Sequence, residues 1–442
     1  MRFRRVCIVF AISSLAPLSA WAQTFNLRDL LTSFVLQGIT LAPPTSGVNH
    51  EAHFIGADSP QVQALQQFNG QLSNELSAFP LASSAGGFTY NYDPSIGAFT
   101  RAADSFGPIY AERAGTVGKG RLNIGVNYSR FTFDRVDGLN LRDGDIRLVF
   151  THQDVNNDNS NLKPYVEGDV ITAQLLLKLQ TDITAFVLTY GVTDRFDVGV
   201  AVPIVRVSLD AQTDAAVQRI ATGASSTIHT FLNGGTKESF RQSGSASGVG
   251  DVLLRGKFRI VEGGRGGLAV ATDVRLPTGE ERDLLGTGAA QVKGFLVGSL
   301  RIGTFSPHLN AGYTWSANAS GGRKIPDEIS YRGGFDWALS PRLTFAADAV
   351  GRTLRKAQTV SVVNTTFQYN INPDINAPPD VHTAVFPRLI SETRDSSSLL
   401  GSVGLKINPF GNFLLTINGL FSLNQKGLSD RFAPLIGIDY SF

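Results

Sequence analysis

Six histidines are the candidates for acid-base or metal-binding chemistry in this chain: His50, His53, His152, His229, His308 and His382. A hydrolase would need a serine and an oriented third group beside its histidine, and no hydrolase signature such as a His-x-Ser-Asn-Gly run is present. We therefore interpret the histidines as structural and predict that the protein is not an enzyme and needs no cofactor. His308 should point inward if its neighbour Leu309 points outward.

A second candidate is the acidic run Asp154-Val155-Asn156-Asn157-Asp158, whose spacing is similar to that of a calcium-binding loop. Such a loop also needs a glycine after the acidic positions and a bidentate glutamate at its twelfth position. The glycine is missing and Tyr165 occupies the twelfth position. We interpret the run as a solvated loop, and no metal site is predicted.

The third group consists of charged residues that alternate with apolar ones and should face the inside of a barrel. The lumen-lining candidates are Arg255, Lys257, Arg259, Asp273, Arg275, Asp336, Asp348 and Arg352, to which the same alternation adds Arg121, Arg332, Lys406, Asp197 and Asp439. Opposite charges on neighbouring strands, such as Lys257 or Arg259 with Asp273, more often pair with each other and stabilise the barrel than bind a passing solute. The functional alternative is that the basic rows favour anionic or carboxylate-bearing solutes.

The strands that would position these residues follow from a period-two apolar pattern that runs from about Lys119 to the end of the chain. The clearest face holds Phe432, Pro434, Ile436, Ile438, Tyr440 and Phe442. No helical pattern is available to cover such faces, whereas a closed barrel in lipid leaves no apolar face or backbone edge exposed to water. The pattern predicts an all-β fold, a transmembrane antiparallel β-barrel, and the alternative is a soluble β-sandwich or secreted adhesin.

The connections between the strands alternate between short and long. The short ones are residues 193–195, 262–265, 303–306, 340–342 and 408–412, and the long ones are 134–167, 210–247, 278–287, 316–324, 356–396 and 424–430. Outer-membrane barrels have short periplasmic turns and longer extracellular loops, so both termini are predicted to be periplasmic. These connections join about 12 strands, with residues 170–192 as one long strand. If residues 180–182 form a turn and another strand lies within 145–154, the count becomes 14.

The first 22 residues have the pattern of a secretory signal peptide. Three arginines precede an apolar stretch, and Ala20-Trp21-Ala22 forms a small-x-small cleavage site. Removing three arginines and no acidic residue takes the formal net charge from +2 to −1, which disfavours nucleic acid as a partner. The single cysteine, Cys7, is removed as well, so the mature chain has no disulfide and no Cys-ligated metal.

Residues 23–118 follow a helical pattern instead. Asn26 can cap one helix and Ser59-Pro60 can start another, which extends to Phe79. Two short amphipathic helices need a surface to pack against, and a twelve-stranded barrel leaves a cavity that they can plug. The plug candidates are Leu30, Phe34, Leu65, Phe68 and Leu72. The alternative is a separate periplasmic module or a flexible tail.

Several stretches resemble a known bacterial family. They are SFGPIYAERAGTVGKGRLNIGVNYSRFTFDRVDG (105–138), LTYGVTDRFDVGVAVPIV (188–205), GVGDVLLRGKFRI (248–260), DVRLPTGEERDLLGTG (273–288) and GLSDRFAPLIGIDYSF (427–442). The family comprises outer-membrane transporters assigned to the MetA pathway of phenol degradation. The resemblance implies a Gram-negative outer-membrane channel for aromatic or other hydrophobic compounds, and it supplies no ligand residues. Tyr440 and the terminal Phe442 also resemble the C-terminal signal that the barrel-assembly machinery recognises.

The sequence thus predicts a signal peptide (1–22), an N-terminal plug or periplasmic segment (23–118) and a barrel (119–442) in the bacterial outer membrane. Its predicted partners are outer-membrane lipid, the barrel-assembly machinery and a small-molecule solute that the sequence does not name. The predicted function is a channel for passive uptake of small apolar, aromatic or amphipathic compounds. The alternative is a non-transporting structural or surface-binding barrel.

Overall fold

The computed structural model describes residues 26–43, 54, 59–77, 83, 87–93, 98–101, 103–151, 169–220, 229–263, 265–372, 377–378 and 380–442. The predicted signal peptide, the acidic run at 154–158 and the histidines His50, His53 and His152 lie outside these residues. Neither of the two helices described below is both long enough and apolar enough to cross a membrane.

The helices are α1 (Leu30–Gly38) and α2 (Pro60–Ser77), and 3₁₀ turns form at Leu27–Asp29, Glu281–Asp283 and Ser320–Gly322. The strands are β1 (Tyr90–Asp93), β2 (Ala98–Arg101), β3 (Leu122–Phe133), β4 (Arg135–Val136), β5 (Leu139–Asn140), β6 (Ile146–Thr151), β7 (Val170–Thr193), β8 (Phe196–Gln218), β9 (Lys237–Val249), β10 (Leu253–Gly263), β11 (Gly266–Arg275), β12 (Gln291–Leu300), β13 (Phe305–Ser316), β14 (Asp327–Ser340), β15 (Leu343–Asn370), β16 (Val381–Ile407), β17 (Phe413–Ser422), β18 (Leu428–Ser429) and β19 (Ala433–Ser441).

Twelve of these strands form a closed antiparallel barrel: β3, β7, β8, β10 to β17 and β19. The first and last of them pair with each other, and β7 pairs with both β3 and β8, which completes the ring. The predicted count of twelve is confirmed, and β7 runs through residues 180–182 without a turn. A strand does form within 145–154, but this strand, β6, pairs only with β7 beyond the ring, as β9 pairs only with β8.

The connections after β7, β10, β12, β14 and β16 are short, and we call this end of the barrel the short-turn end. The opposite end, with the connections after β3, β8, β11, β13, β15 and β17, is the long-loop end. The barrel strands start and finish at the short-turn end, where Ser441 pairs with Asn123. Leu27 lies at the other end, where its backbone N–H donates to Asp283 Oδ1 at 3.4 Å.

Four of the predicted loops are wrong in part. Residues 134–167 contain the strands β4, β5 and β6, residues 424–430 contain β18, and two further loops contain extensions of barrel strands. Within residues 210–247, β8 continues to Gln218 and β9 begins at Lys237; within 356–396, β15 continues to Asn370 and β16 begins at Val381. The outer faces of these extensions are mostly polar, with Val363, Val381 and Val385 as exposed exceptions, so they lack the regular apolar alternation that marks the other strands. The register between β15 and β16 shifts after Leu354, next to Lys356 with φ 51°, where the hairpin extends beyond the short strands of the barrel.

The outer face of the barrel is apolar between two levels of aromatic side chains. Trp315 lies towards the long-loop end of β13, and Phe305 lies at its short-turn end, where it pairs with Trp337. Ten residues of strand between these levels span roughly 33 Å, or about 25 Å along the membrane normal after tilting. That height and the paired aromatic girdles fit the lipid-facing band of an outer-membrane barrel.

Candidate functional site

The interior of the barrel at the short-turn end is crossed by residues 105–117, which we call the strap. The strap contains no residue of a helix or strand, and nearly all of its residues are buried. An extended backbone inside a barrel must find partners for its N–H and C=O groups, because buried polar groups without partners are costly. In this protein the partners are side chains of the barrel wall.

Wall side chains from four strands accept hydrogen bonds from the strap. Asp348 Oδ2 accepts from the backbone N–H groups of Ile109 at 3.0 Å and Tyr110 at 2.9 Å. Asn310 Oδ1 accepts from the Glu112 N–H at 2.7 Å, and its amide nitrogen donates to the Glu112 carbonyl at 3.0 Å. Further acceptors are Thr344 for Phe106, Ser299 for Ala114 and Asp197 for Val117.

Basic side chains of the wall bind the carbonyls of the strap. Lys406 Nζ donates to Phe106 O at 3.2 Å and to Pro108 O at 2.7 Å. Arg332 donates to Tyr110 O at 2.5 Å and Lys257 to Arg113 O at 3.4 Å. Three of the interior cations predicted from alternation therefore hold the backbone of the N-terminal segment in place.

An ion-pair network joins the strap to the strands β8, β10 and β11. The Arg255 guanidinium pairs with Glu112 of the strap and with Asp273, whose Oδ1 is 2.5 Å from Nε. Lys257 Nζ lies 3.8 Å from Glu112 and 3.6 Å from Asp197. Opposite charges on neighbouring strands thus pair inside the wall, as expected, but the expected pairing of Lys257 or Arg259 with Asp273 is wrong. Asp273 pairs with Arg255, Lys257 with Asp197, and Glu112 of the strap joins both cations.

His308 and two carboxylates form a second buried cluster under the strap. His308 Nε2 lies 2.7 Å from Asp348 and Nδ1 lies 3.5 Å from Asp336, so this inward-facing histidine orients the carboxylate that holds Ile109 and Tyr110. Leu309 faces outward, as expected. In the strap itself, burial raises the pKa of Tyr110, which keeps its hydroxyl neutral. Burial lowers the pKa of Arg113, against the opposing effects of Asp336 and Glu112.

The long-loop half of the interior is filled differently. The plug candidates Leu30, Phe34, Leu65, Phe68 and Leu72 are all buried in one apolar cluster with inward residues of β6 to β8 and of the β15–β16 hairpin. Gln61 of α2 bonds Leu389 O of β16 at 2.8 Å and the Val149 N–H of β6 at 3.0 Å. Glu75, at the other end of α2, pairs with Arg352 of the wall.

Two of the cavities inside the barrel lie towards its opposite ends. The upper cavity occupies ≈ 1170 Å³ including its open mouth, near the long-loop end, and is lined by Arg255, Arg275, Lys293, Arg332 and Arg352 among others. The lower cavity occupies ≈ 570 Å³ at the short-turn end, next to Arg113, Arg259 and His308. Arg113, Ala114 and Gly115 of the strap line the lower cavity, and Glu112 pairs with Arg255 of the upper one.

The remaining predicted site residues have separate positions. Arg259 pairs with Glu262 at the short-turn end, with 2.7 Å between Nη1 and Oε2. Tyr440 and Phe442 lie on the outer surface, with 4.7 Å between their ring centroids. Among the described residues, no three His, Cys, Asp or Glu side chains are grouped so that they could hold a metal ion.

Alternation did not identify Lys293 and Glu328 as lumen-facing, nor Glu112 and Glu75 as the partners of Arg255 and Arg352. Lys293 lies on β12, where the inward residues Phe295 and Val297 are apolar because they pack against Ala114 of the strap. With apolar residues on both faces, β12 loses the period-two signal. Glu75 and Glu112 belong to the N-terminal segment, for which a strand pattern carries no information.

Residues 178–377 match the family described as "Putative MetA-pathway of phenol degradation". No curated protein matches the chain. Among solved structures, the outer membrane channel from Pseudomonas putida F1 is similar at 12% identity and a TM-score of 0.40, covering 74% of this chain and 98% of that one. A FadL homologue from Pseudomonas aeruginosa is similar at 12% identity and a TM-score of 0.32, covering 83% and 98%. At these scores the likenesses carry no conclusion about function.

Proposed function

We propose that this chain, a member of the family described as "Putative MetA-pathway of phenol degradation", is an outer-membrane channel through which small amphipathic or aromatic molecules enter the periplasm passively. The observation that carries the proposal is the pair of cavities inside the ring of strands, with the strap between them. A purely structural barrel of this size has no need of charged, solvent-accessible space at both ends.

The strap closes the route between the cavities, so passage requires it to move. Its contacts suit a movable element. Most of the described bonds that hold it are hydrogen bonds and ion pairs to side chains of the wall, and none of its described residues pairs with a barrel strand as a strand. Side-chain contacts of this kind can be exchanged one at a time, whereas a strand in a sheet is released only as a unit.

The rival function is a non-transporting barrel, and the continuous burial of the strap favours it. Swelling of liposomes that contain the purified full-length protein distinguishes the two. We expect faster entry of small aromatic solutes such as benzyl alcohol and benzoate than in liposomes with a denatured control, and no entry of a trisaccharide. Equal rates with and without folded protein, with folding verified by heat-modifiable migration on gels, would exclude the channel and leave the structural role.

A further inference from the structure

The upper cavity is lined by both charged and apolar side chains. Basic side chains from β10 to β15 line it, and so do Val350, Leu400 and Leu428. Sites for small organic ligands generally combine an apolar lining with a few placed polar groups. A ligand that contacts both kinds of lining must itself have a charged end and an apolar body.

Most of the cavity's cations are neutralised by the protein, but two are not fully matched. Arg255 pairs with Asp273 and Glu112, and Arg352 pairs with Glu75. In contrast, the Lys293 ammonium has its nearest carboxylate oxygen, from Glu328, at 3.9 Å, which is beyond hydrogen-bond distance. Arg332 donates to the Tyr110 carbonyl, and within the described residues no carboxylate oxygen lies within 4.0 Å of its guanidinium.

The lining of the cavity favours an anion. Five basic side chains line the cavity, together with the carboxylates of Asp273 and Glu328. A carboxylate on a ligand can accept hydrogen bonds from the Lys293 ammonium and from the remaining N–H groups of Arg332, and hydrogen bonds between charged groups are the stronger kind. A neutral phenol or alcohol offers no charge to either cation.

We propose that the upper cavity is a binding site for a monoanionic amphipathic solute, an aromatic or short alkyl carboxylate. Its carboxylate binds Arg332 and Lys293, and its apolar body packs against Val350, Leu400 and Leu428. Arg332 also bonds the strap at Tyr110, so a carboxylate that engages this guanidinium competes with one of the strap's own contacts. The inference rests on the proposed function, because it names the class of solute that the channel prefers.

Titration calorimetry on the purified full-length protein tests the site, with benzoate as the probe and benzyl alcohol as its neutral counterpart. We expect benzoate to bind at least about tenfold more tightly than benzyl alcohol, since hydrogen bonds between charged groups are stronger than those of a neutral hydroxyl. Arg332→Gln and Lys293→Gln should each remove most of that preference, and Arg332→Lys should keep part of it. Lys324→Gln, the same charge change at an exposed residue of the neighbouring loop, should have no effect.

Equal affinity for the two probes, or an unchanged benzoate affinity in both Gln variants, would overturn the site. If Arg332→Gln fails to fold, Lys293→Gln decides the matter alone, because Lys293 makes no hydrogen bond in the described structure. The swelling assay keeps the two proposals apart. Entry of both probes without a preference for benzoate contradicts only the site, and entry of neither contradicts the channel.

Discussion

The two halves of the barrel interior are filled by the same N-terminal segment in opposite ways. Near the long-loop end, α1 and α2 bury apolar side chains against inward residues of the wall, in one continuous cluster. Near the short-turn end, the strap buries its backbone against polar and charged side chains of the wall. The upper half is thus held by the hydrophobic effect, which is not directional, and the lower half by hydrogen bonds with fixed geometry.

This difference predicts how each half responds to change. An apolar cluster tolerates small shifts and loses stability in proportion to the volume removed. A hydrogen-bonded backbone tolerates little displacement, because each lost bond leaves a buried group without a partner. The upper half is therefore suited to permanent anchoring, and the lower half to a transition between two discrete states.

The largest expected effect is a loss of stability in the apolar cluster that α1 and α2 form with the wall. Phe68→Ala should destabilise the packed helix by about 3 to 5 kcal/mol, because Phe68 is fully buried among other apolar side chains. Protease protection of residues 60–77 at increasing urea concentration measures it. Phe258→Ala, which removes the same side chain from the outer face of β10, is the matched control, and an equal loss of protection in the control would place α2 outside the core.

A smaller loss of stability is expected when a hydrogen bond between the strap and the wall is removed. Asn310→Ala leaves the N–H and C=O of Glu112 without partners, at about 2 to 4 kcal/mol in total. We expect faster amide exchange in the strap and a higher ion conductance in planar bilayers. Asn424→Ala is the control, because it removes similar bonds from an Asn at the long-loop end, to Leu399 N, Ser397 O and Lys426 N. Conductance that rises in both variants, or in neither, would contradict a gating role of the strap.

The smallest effect concerns the turn that begins the strap. Gly107 (φ 77°) and Gly120 (φ 72°) both have positive φ, which costs a residue with a side chain about 1 to 2 kcal/mol. A Cβ at Gly107 would also lie 2.5 Å from Arg113 Nε, whereas a Cβ at Gly120 would meet open space. Gly107→Ala should therefore lower the urea midpoint more than Gly120→Ala. Identical midpoints would show that Arg113 moves aside freely.

Sequence pattern was sufficient wherever one face of a strand meets lipid and the other meets polar groups. Leu254 and Ile438 are exposed outside while Arg255 and Asp439 point inward, as alternation predicts. The pattern failed where a strand leaves the lipid, as in β9, or where the N-terminal segment covers its inner face, as in β12. In both cases the two faces of the strand have similar polarity. Alternation in the sequence reveals a strand only when one face is apolar and the other is polar.

The candidate site was less accessible to sequence reasoning for a related reason. Inward charges were identified residue by residue, but their partners Glu75 and Glu112 come from a segment more than a hundred residues earlier in the chain. No local spacing links these positions to Arg352 and Arg255. Which cations are matched and which are free is therefore a property of the folded interior and not of any strand.

The path of the strap also restricts the order in which the molecule can be assembled. The strap leads directly into β3, and β3 closes the barrel by pairing with β19, the last strand of the chain. Its wall contacts lie on β8, β10 and β12 to β16, all of which come between those two strands in the chain. Threading a chain through a finished ring is rare in proteins. The strap is therefore expected to be enclosed as the sheet curls around it. The β3–β19 pairing then forms last and traps the strap inside the closed barrel.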